Sequence, residues 1–161
     1  MKILWIERSS IGNKNASTAL SRKIIRFLLQ KKYKIDFFAV KPDFQNNSFN
    51  SNDKNFSDIS PKSNRSKLKK ITSLLEYIKG FDTFDRLIYY DIQLKNNLKN
   101  LVVKNNYDLV LFSYFSISRY YDELKDFIDC PIAFIFHNID YDRMKQISDH
   151  KRYSPRFTKY Q

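Results

Sequence analysis

KILWIERSSIGNKNASTALSRKIIRFLLQKKYKIDFFAV, running from Lys2 to Val40, decides the fold. Lys2 to Ile6 is a short, continuous apolar run, as expected of a strand buried on both faces. Arg8 to Ala16 is polar and contains Gly12, which reads as a loop. A helix should start near Ser17 or Thr18, either of which can cap it. Leu20, Ile24 and Leu28 then recur at four-residue spacing, and Ile25 and Leu29 widen the apolar stripe. Lys31 and Lys32 close the helix, where a cation favours its dipole. Lys34 to Val40 is a second strand. Strand, helix and strand in about forty residues form a βαβ unit, so the sheet is expected to be parallel, with a right-handed crossover.

Downstream the composition changes. Pro42 to Ser66 is dominated by Asn, Ser, Asp and Lys and reads as a long, mobile loop, with Phe44, Phe49, Phe56 and Ile59 as its few apolar anchors. Lys67 to Lys79 is helical in pattern, and Gly80 stops it. One longer helix is predicted over Phe84 to Lys104, with Leu87, Ile88, Ile92, Leu98 and Leu101 inward. Tyr107 to Ser113 (YDLVLFS) is a buried strand, Ser118 to Ile128 a helix, and IAFIF, opened by Pro131, a fourth strand ending at His137. The order makes a Rossmann-like, doubly wound α/β sheet the leading architecture, in a domain spanning 1–148 followed by a polar, basic tail at 149–161.

The chain has 161 residues, 29 Lys plus Arg against 17 Asp plus Glu, and a formal charge of +12. A domain of this length buries a core without staples. One cysteine, Cys130, excludes an intrachain disulfide and is expected to pack at the start of the last strand. Two glycines exclude phosphate loops built on several. No apolar run approaches the ~18 residues of a membrane span, and the first run is too short for a signal peptide, so a cytoplasmic protein is expected. The charge suits a polyanionic partner; an AT-rich coding bias, visible in the Lys, Asn, Ile, Tyr and Phe content, explains it equally well. The stripe of Lys67–Lys79, flanked by Lys62 and Arg65, can lie on an anionic membrane or pack on the sheet beneath solvated lysines.

Ligands of doubly wound sheets bind beyond the carboxyl ends of the strands. The first such loop, RSSIGNKNAS, offers Gly12, where a ligand can approach the backbone, and the amino end of a helix, which favours anions; an ordinary turn has the same features. His137 and Asn138 follow the last strand directly. A histidine there can act as a base or donate to a phosphate or sugar hydroxyl, or satisfy a backbone group. Asp140 and Asp142 can bind a hydroxyl or a cation, or serve as charges at a helix amino end. No second His or Cys lies at metal-ligand spacing, so no metal is expected.

YDLVLFS at Tyr107–Ser113 and PIAFIFHNIDYDRM at Pro131–Met144, together with the MKILWIE opening and the loop at Gly12, resemble the amino-terminal domain of family-4-type glycosyltransferases with a GT-B fold. The resemblance implies two Rossmann-like domains facing a cleft, with this chain as the acceptor-side half and the donor-binding carboxyl-terminal half missing. It implies a nucleotide-sugar as co-substrate, a saccharide or lipid-linked acceptor, no cofactor and no metal, and a peripheral place at the inner face of the membrane. By position, Gly12 and Asn13 would approach the donor phosphates and the acceptor, His137 would lie near the reacting sugar, and Asn138 and Asp140 would shape and contact that site. Many relatives carry two adjacent glycines in the first loop, whereas here Asn13 follows Gly12. The isolated chain is then expected to transfer no sugar. The competing expectation is a stand-alone basic α/β module that binds nucleic acid or a protein partner.

Overall fold

A computed structural model describes residues 1–12, 16–41, 53–61 and 84–136. The predicted helix at Lys67–Lys79, its stop at Gly80 and the tail at 149–161 lie outside the described residues. The elements are β1 (Lys2–Ser9), α1 (Ala16–Gln30), β2 (Lys34–Lys41), β3 (Phe56–Asp58), α2 (Phe84–Tyr89), α3 (Ile92–Lys104), β4 (Leu109–Ser113), α4 (Ser118–Leu124) and β5 (Ile132–Ile135). Single 3₁₀ turns at Phe115–Ile117 and Lys125–Phe127 flank α4.

All five strands are parallel, in the order β3-β2-β1-β4-β5. β1 is central. Ile3 to Ile6 are fully buried, because helices cover both sheet faces there. Side chains alternate across the sheet, and the alternation sorts the core into two halves. Ile3, Trp5, Ile35, Phe37, Ala39 and Leu111 pack with Ile25 and Leu29 of α1 on one face. Leu4, Ile6, Phe38, Val40, Val110 and Phe112 pack with Leu94 and Leu98 of α3 and Tyr120 and Leu124 of α4 on the other. The sheet is therefore Rossmann-like and doubly wound. Cys130 packs against the second half from the approach to β5.

Several elements differ from the sequence expectation. β1 continues through Ser9, and α1 begins at Ala16, so Ser17 and Thr18 lie inside the helix and do not precede it. The buried stripe of α1 runs Thr18, Ser21, Ile25, Leu29, while Leu20 is exposed. Leu20 is five residues from Ile25, about 140° around the helix at ~100° per residue. Lys31 and Lys32 follow the last turn of α1. Lys32 has φ 60, a position that favours glycine, and Tyr33 N–H there donates to the Leu28 carbonyl at 3.2 Å. The expected loop at Pro42–Ser66 contains β3, whose Phe56 ring meets that of Phe37 with centroids 6.0 Å apart.

The single helix expected over Phe84–Lys104 is two helices. Asp91 caps the second, its Oδ1 accepting from Gln93 N–H at 2.8 Å and from Leu94 N–H at 3.4 Å. The Tyr120 hydroxyl of α4 spans the break. It donates to the Tyr89 carbonyl at 2.8 Å and accepts from Asp91 N–H at 2.9 Å. Two backbone groups at the interruption are thus satisfied by one buried side chain. The break turns Ile92 out to solvent and Leu94 in.

At the amino edge of the sheet, Asp36 accepts from the Tyr107 hydroxyl at 2.9 Å and pairs with Lys2 Nζ at 3.3 Å. Burial, and then the Asp36 carboxylate, hold the Tyr107 phenol protonated well above its ordinary range. This cluster ties β1, β2 and the entry to β4 together, away from the ligand edge.

Candidate functional site at the reversal of strand order

From β1 the chain proceeds outward to β2 and β3, then returns to the other side of β1 for β4 and β5. One hand of crossover puts the two connections on opposite faces: α1 lies on the first face, α3 and α4 on the second. The connections leaving β1 and β4 thus diverge, and a crevice opens between their carboxyl ends. Ser9 to Gly12 and Ser113 to Ile117 border it. No helix among the described residues is long and apolar enough to cross a membrane.

Glu7 sits at this edge, paired in register with Ser113 of β4. Its odd position turns it toward α1, beneath the helix's first turns, and it is fully buried. Its Oε2 accepts from Trp5 Nε1 at 3.1 Å and from the Ser21 hydroxyl at 2.9 Å, and its Oε1 accepts from Arg8 N–H at 3.3 Å. Ser113 adds a further hydrogen bond. Burial disfavours the charged form and outweighs these donors, so the carboxyl is pushed up from 4.5 to about 7. Glu7 therefore holds or releases a proton near neutrality, and it fixes α1, β1 and β4 relative to one another at the mouth of the crevice.

Arg8, the next residue, points to the opposite face. Its guanidinium carbon lies 4.2 Å from the Tyr114 ring centroid and 5.5 Å from that of Tyr89. Tyr114 follows β4 with φ 87 and ψ 140, a conformation that suits glycine and costs a tyrosine about 1–3 kcal/mol. Its N–H donates to the Ile135 carbonyl at 3.0 Å, and its side chain is buried. Ser116, two residues on, is also buried, and its hydroxyl has no hydrogen-bond partner among the described residues. Strain and an unsatisfied hydroxyl both fall at the edge where such sheets bind ligands.

Of the residues singled out from sequence, Gly12 is described and lies buried in the turn after β1, bordering the crevice. The adjacent Ile11 carbonyl accepts from Arg22 Nη1 at 3.1 Å, which fastens this turn to α1. Asn13, His137, Asn138 and Asp140 lie outside the described residues. β5 ends at Ile135 on the same carboxyl edge, one strand from the reversal. Burial raises the Cys130 thiol, which favours its protonated form. Among the described residues no three His, Cys, Asp or Glu side chains group to hold a metal ion.

Reading the sequence missed Glu7, Arg8, Tyr114 and Ser116 as site residues. A signal existed for the first. Alternation from Ile3 and Trp5 carries Glu7 onto a buried face, and an ionisable residue there needs a reason. Nothing local marked Tyr114 or Ser116, whose backbone geometry and burial arise from packing. Comparisons with protein-family models, curated proteins and solved structures found no match.

Proposed function

We propose that this chain is the acceptor-side, Rossmann-like half of a GT-B-type glycosyltransferase, which moves a sugar from a nucleotide-sugar to a saccharide or lipid-linked acceptor. The observation that carries the reading is the reversal of strand order between β1 and β4. It gathers the Gly12 turn, the buried Glu7 and the Tyr114–Ser116 segment around one crevice. The motif-bearing stretches Tyr107–Ser113 and Pro131–Phe136 contribute β4 and β5, neighbours on the side of the sheet from which that crevice is built. In this reading the crevice orients the acceptor and meets the donor phosphates. Transition-state stabilisation of the departing diphosphate falls largely to the donor-binding half.

The test is titration of the isotopically labelled chain with nucleotide-sugars, simple saccharides and a lipid-phosphate-linked saccharide, followed by amide NMR. The reading expects saturable shifts concentrated at residues 9–12 and 113–117. Absence of shifts with every ligand overturns it. Salt-dependent gel shifts with generic RNA separate the competing basic-module reading: tight binding with a steep salt slope favours that module.

A further inference from the structure

We propose that Arg8 is an anion-gripping residue and that the crevice takes a phosphorylated small molecule, bound through a phosphate or diphosphate group. The inference rests on the crevice described above but not on sugar transfer.

Arg8 differs from three other cations of its face. Arg86 pairs with Asp122, Arg119 pairs with Glu123 at 3.5 Å, and Lys95 pairs with Glu123 at 3.8 Å. Among the described residues the Arg8 guanidinium meets two tyrosine rings and no carboxylate. A half-buried guanidinium left without an anion forgoes its strongest interaction, which is worth keeping if a ligand supplies the anion. Tyrosine rings beside a guanidinium restrict its rotamers and supply no anion, so its charge-assisted hydrogen bonds are left for a ligand. That is the state suited to a bidentate grip on phosphate oxygens.

The surroundings agree. Glu7, the nearest acid in sequence, points to the opposite face and is spoken for by Trp5, Ser21 and Ser113. The buried, unpartnered Ser116 hydroxyl, two residues beyond Tyr114, adds a hydrogen-bonding group of the kind phosphate oxygens use. The strained φ of Tyr114 is the device that seats one of the two rings. A half-buried grip of this kind suits a terminal or bridging phosphate of a small molecule better than an extended polyanion, which an exposed basic surface would serve.

The experiment is calorimetric titration of the full chain with inorganic pyrophosphate, in parallel for the unmodified chain and R8Q, R8K and K31Q. Lys31 is exposed at the far end of α1, so K31Q removes the same charge away from the crevice. The expected result is saturable binding, weakened at least about tenfold in R8Q, weakened less in R8K, which keeps charge without the planar fork, and unchanged in K31Q. Circular dichroism of R8Q and R8K establishes that they fold; if R8Q does not, R8K decides alone. No binding by the unmodified chain, or equal loss in R8Q and K31Q, overturns the proposal. Pyrophosphate binding that depends on Arg8, with no response to any saccharide or nucleotide-sugar, retains this site and removes the glycosyltransferase reading. Saccharide binding at the crevice without pyrophosphate binding does the reverse.

Discussion

Glu7→Gln removes a titration that the folded chain carries at its centre. The carboxyl is fully buried, and its pKa rises from 4.5 to about 7 on folding. Below pH 4.5 it is protonated in folded and unfolded chains alike, and its contribution to stability is fully present. Between 4.5 and 7 the unfolded chain releases the proton while the folded chain keeps it, so stability falls by up to about 1.4 kcal/mol per pH unit. Above 7 both states are ionised and the loss is complete, on the order of 3 kcal/mol. Glutamine does not titrate. It still offers a carbonyl to Trp5 Nε1 and Ser21, and any mismatch at its amide is a constant offset with pH. Denaturant unfolding of both proteins at pH 5, 6, 7 and 8 gives the difference in stability, from which the other titrating groups cancel. That difference should shift in favour of the glutamine variant by about 2–3 kcal/mol between pH 5 and 8, most of it below pH 7. A difference that stays constant across this range refutes the assignment of a near-neutral buried acid to Glu7.

Tyr120→Phe deletes the hydroxyl that serves both the Tyr89 carbonyl and Asp91 N–H; the expected loss is about 1–3 kcal/mol by chemical denaturation, with early hydrogen exchange at Asp91. Lys32→Gly should gain about 0.5–1 kcal/mol, because Lys32 holds φ 60 where glycine is unstrained, and a raised Tm at constant m-value is the readout. Leu94→Ala should cost about 2–4 kcal/mol, whereas Ile92→Gln, two residues away but 51% exposed, should stay within about 0.5 kcal/mol. Equal costs at the two positions would contradict the break between α2 and α3.

Much of the fold was legible because its signals are local. The apolar runs around Trp5, Phe37, Leu111 and Phe134 read as buried strands, and the repeat through Ile25 and Leu29 read as a helix between two of them. Asp91 shows what local reading misses. In a helical pattern it lies four residues from Leu87, on the same side as Leu94, Leu98 and Leu101, and the spacing from Leu87 to Leu101 continues through it. The chain breaks there because a tyrosine 29 residues later supplies a donor and an acceptor to the freed backbone. β3 escaped notice for a related reason: its three residues gain their pairing only from the edge of β2.

The site divides in the same way. Sequence by itself determined the class of fold, the carboxyl edge on which a ligand would sit, and Gly12 in the first loop. It did so because strand and helix periodicity follow from short-range backbone geometry. Only the tertiary structure decided which two strand ends face each other across the crevice, that Glu7 is buried and raised toward 7, that Arg8 lies against two tyrosine rings, and that Tyr114 accepts a glycine-like φ. Each of these depends on groups brought together by strand order across more than 75 residues of chain, as from Arg8 to Tyr89 and Tyr114. Desolvation, stacking and tolerated strain are properties of that assembled surrounding and not of any residue's neighbours in sequence.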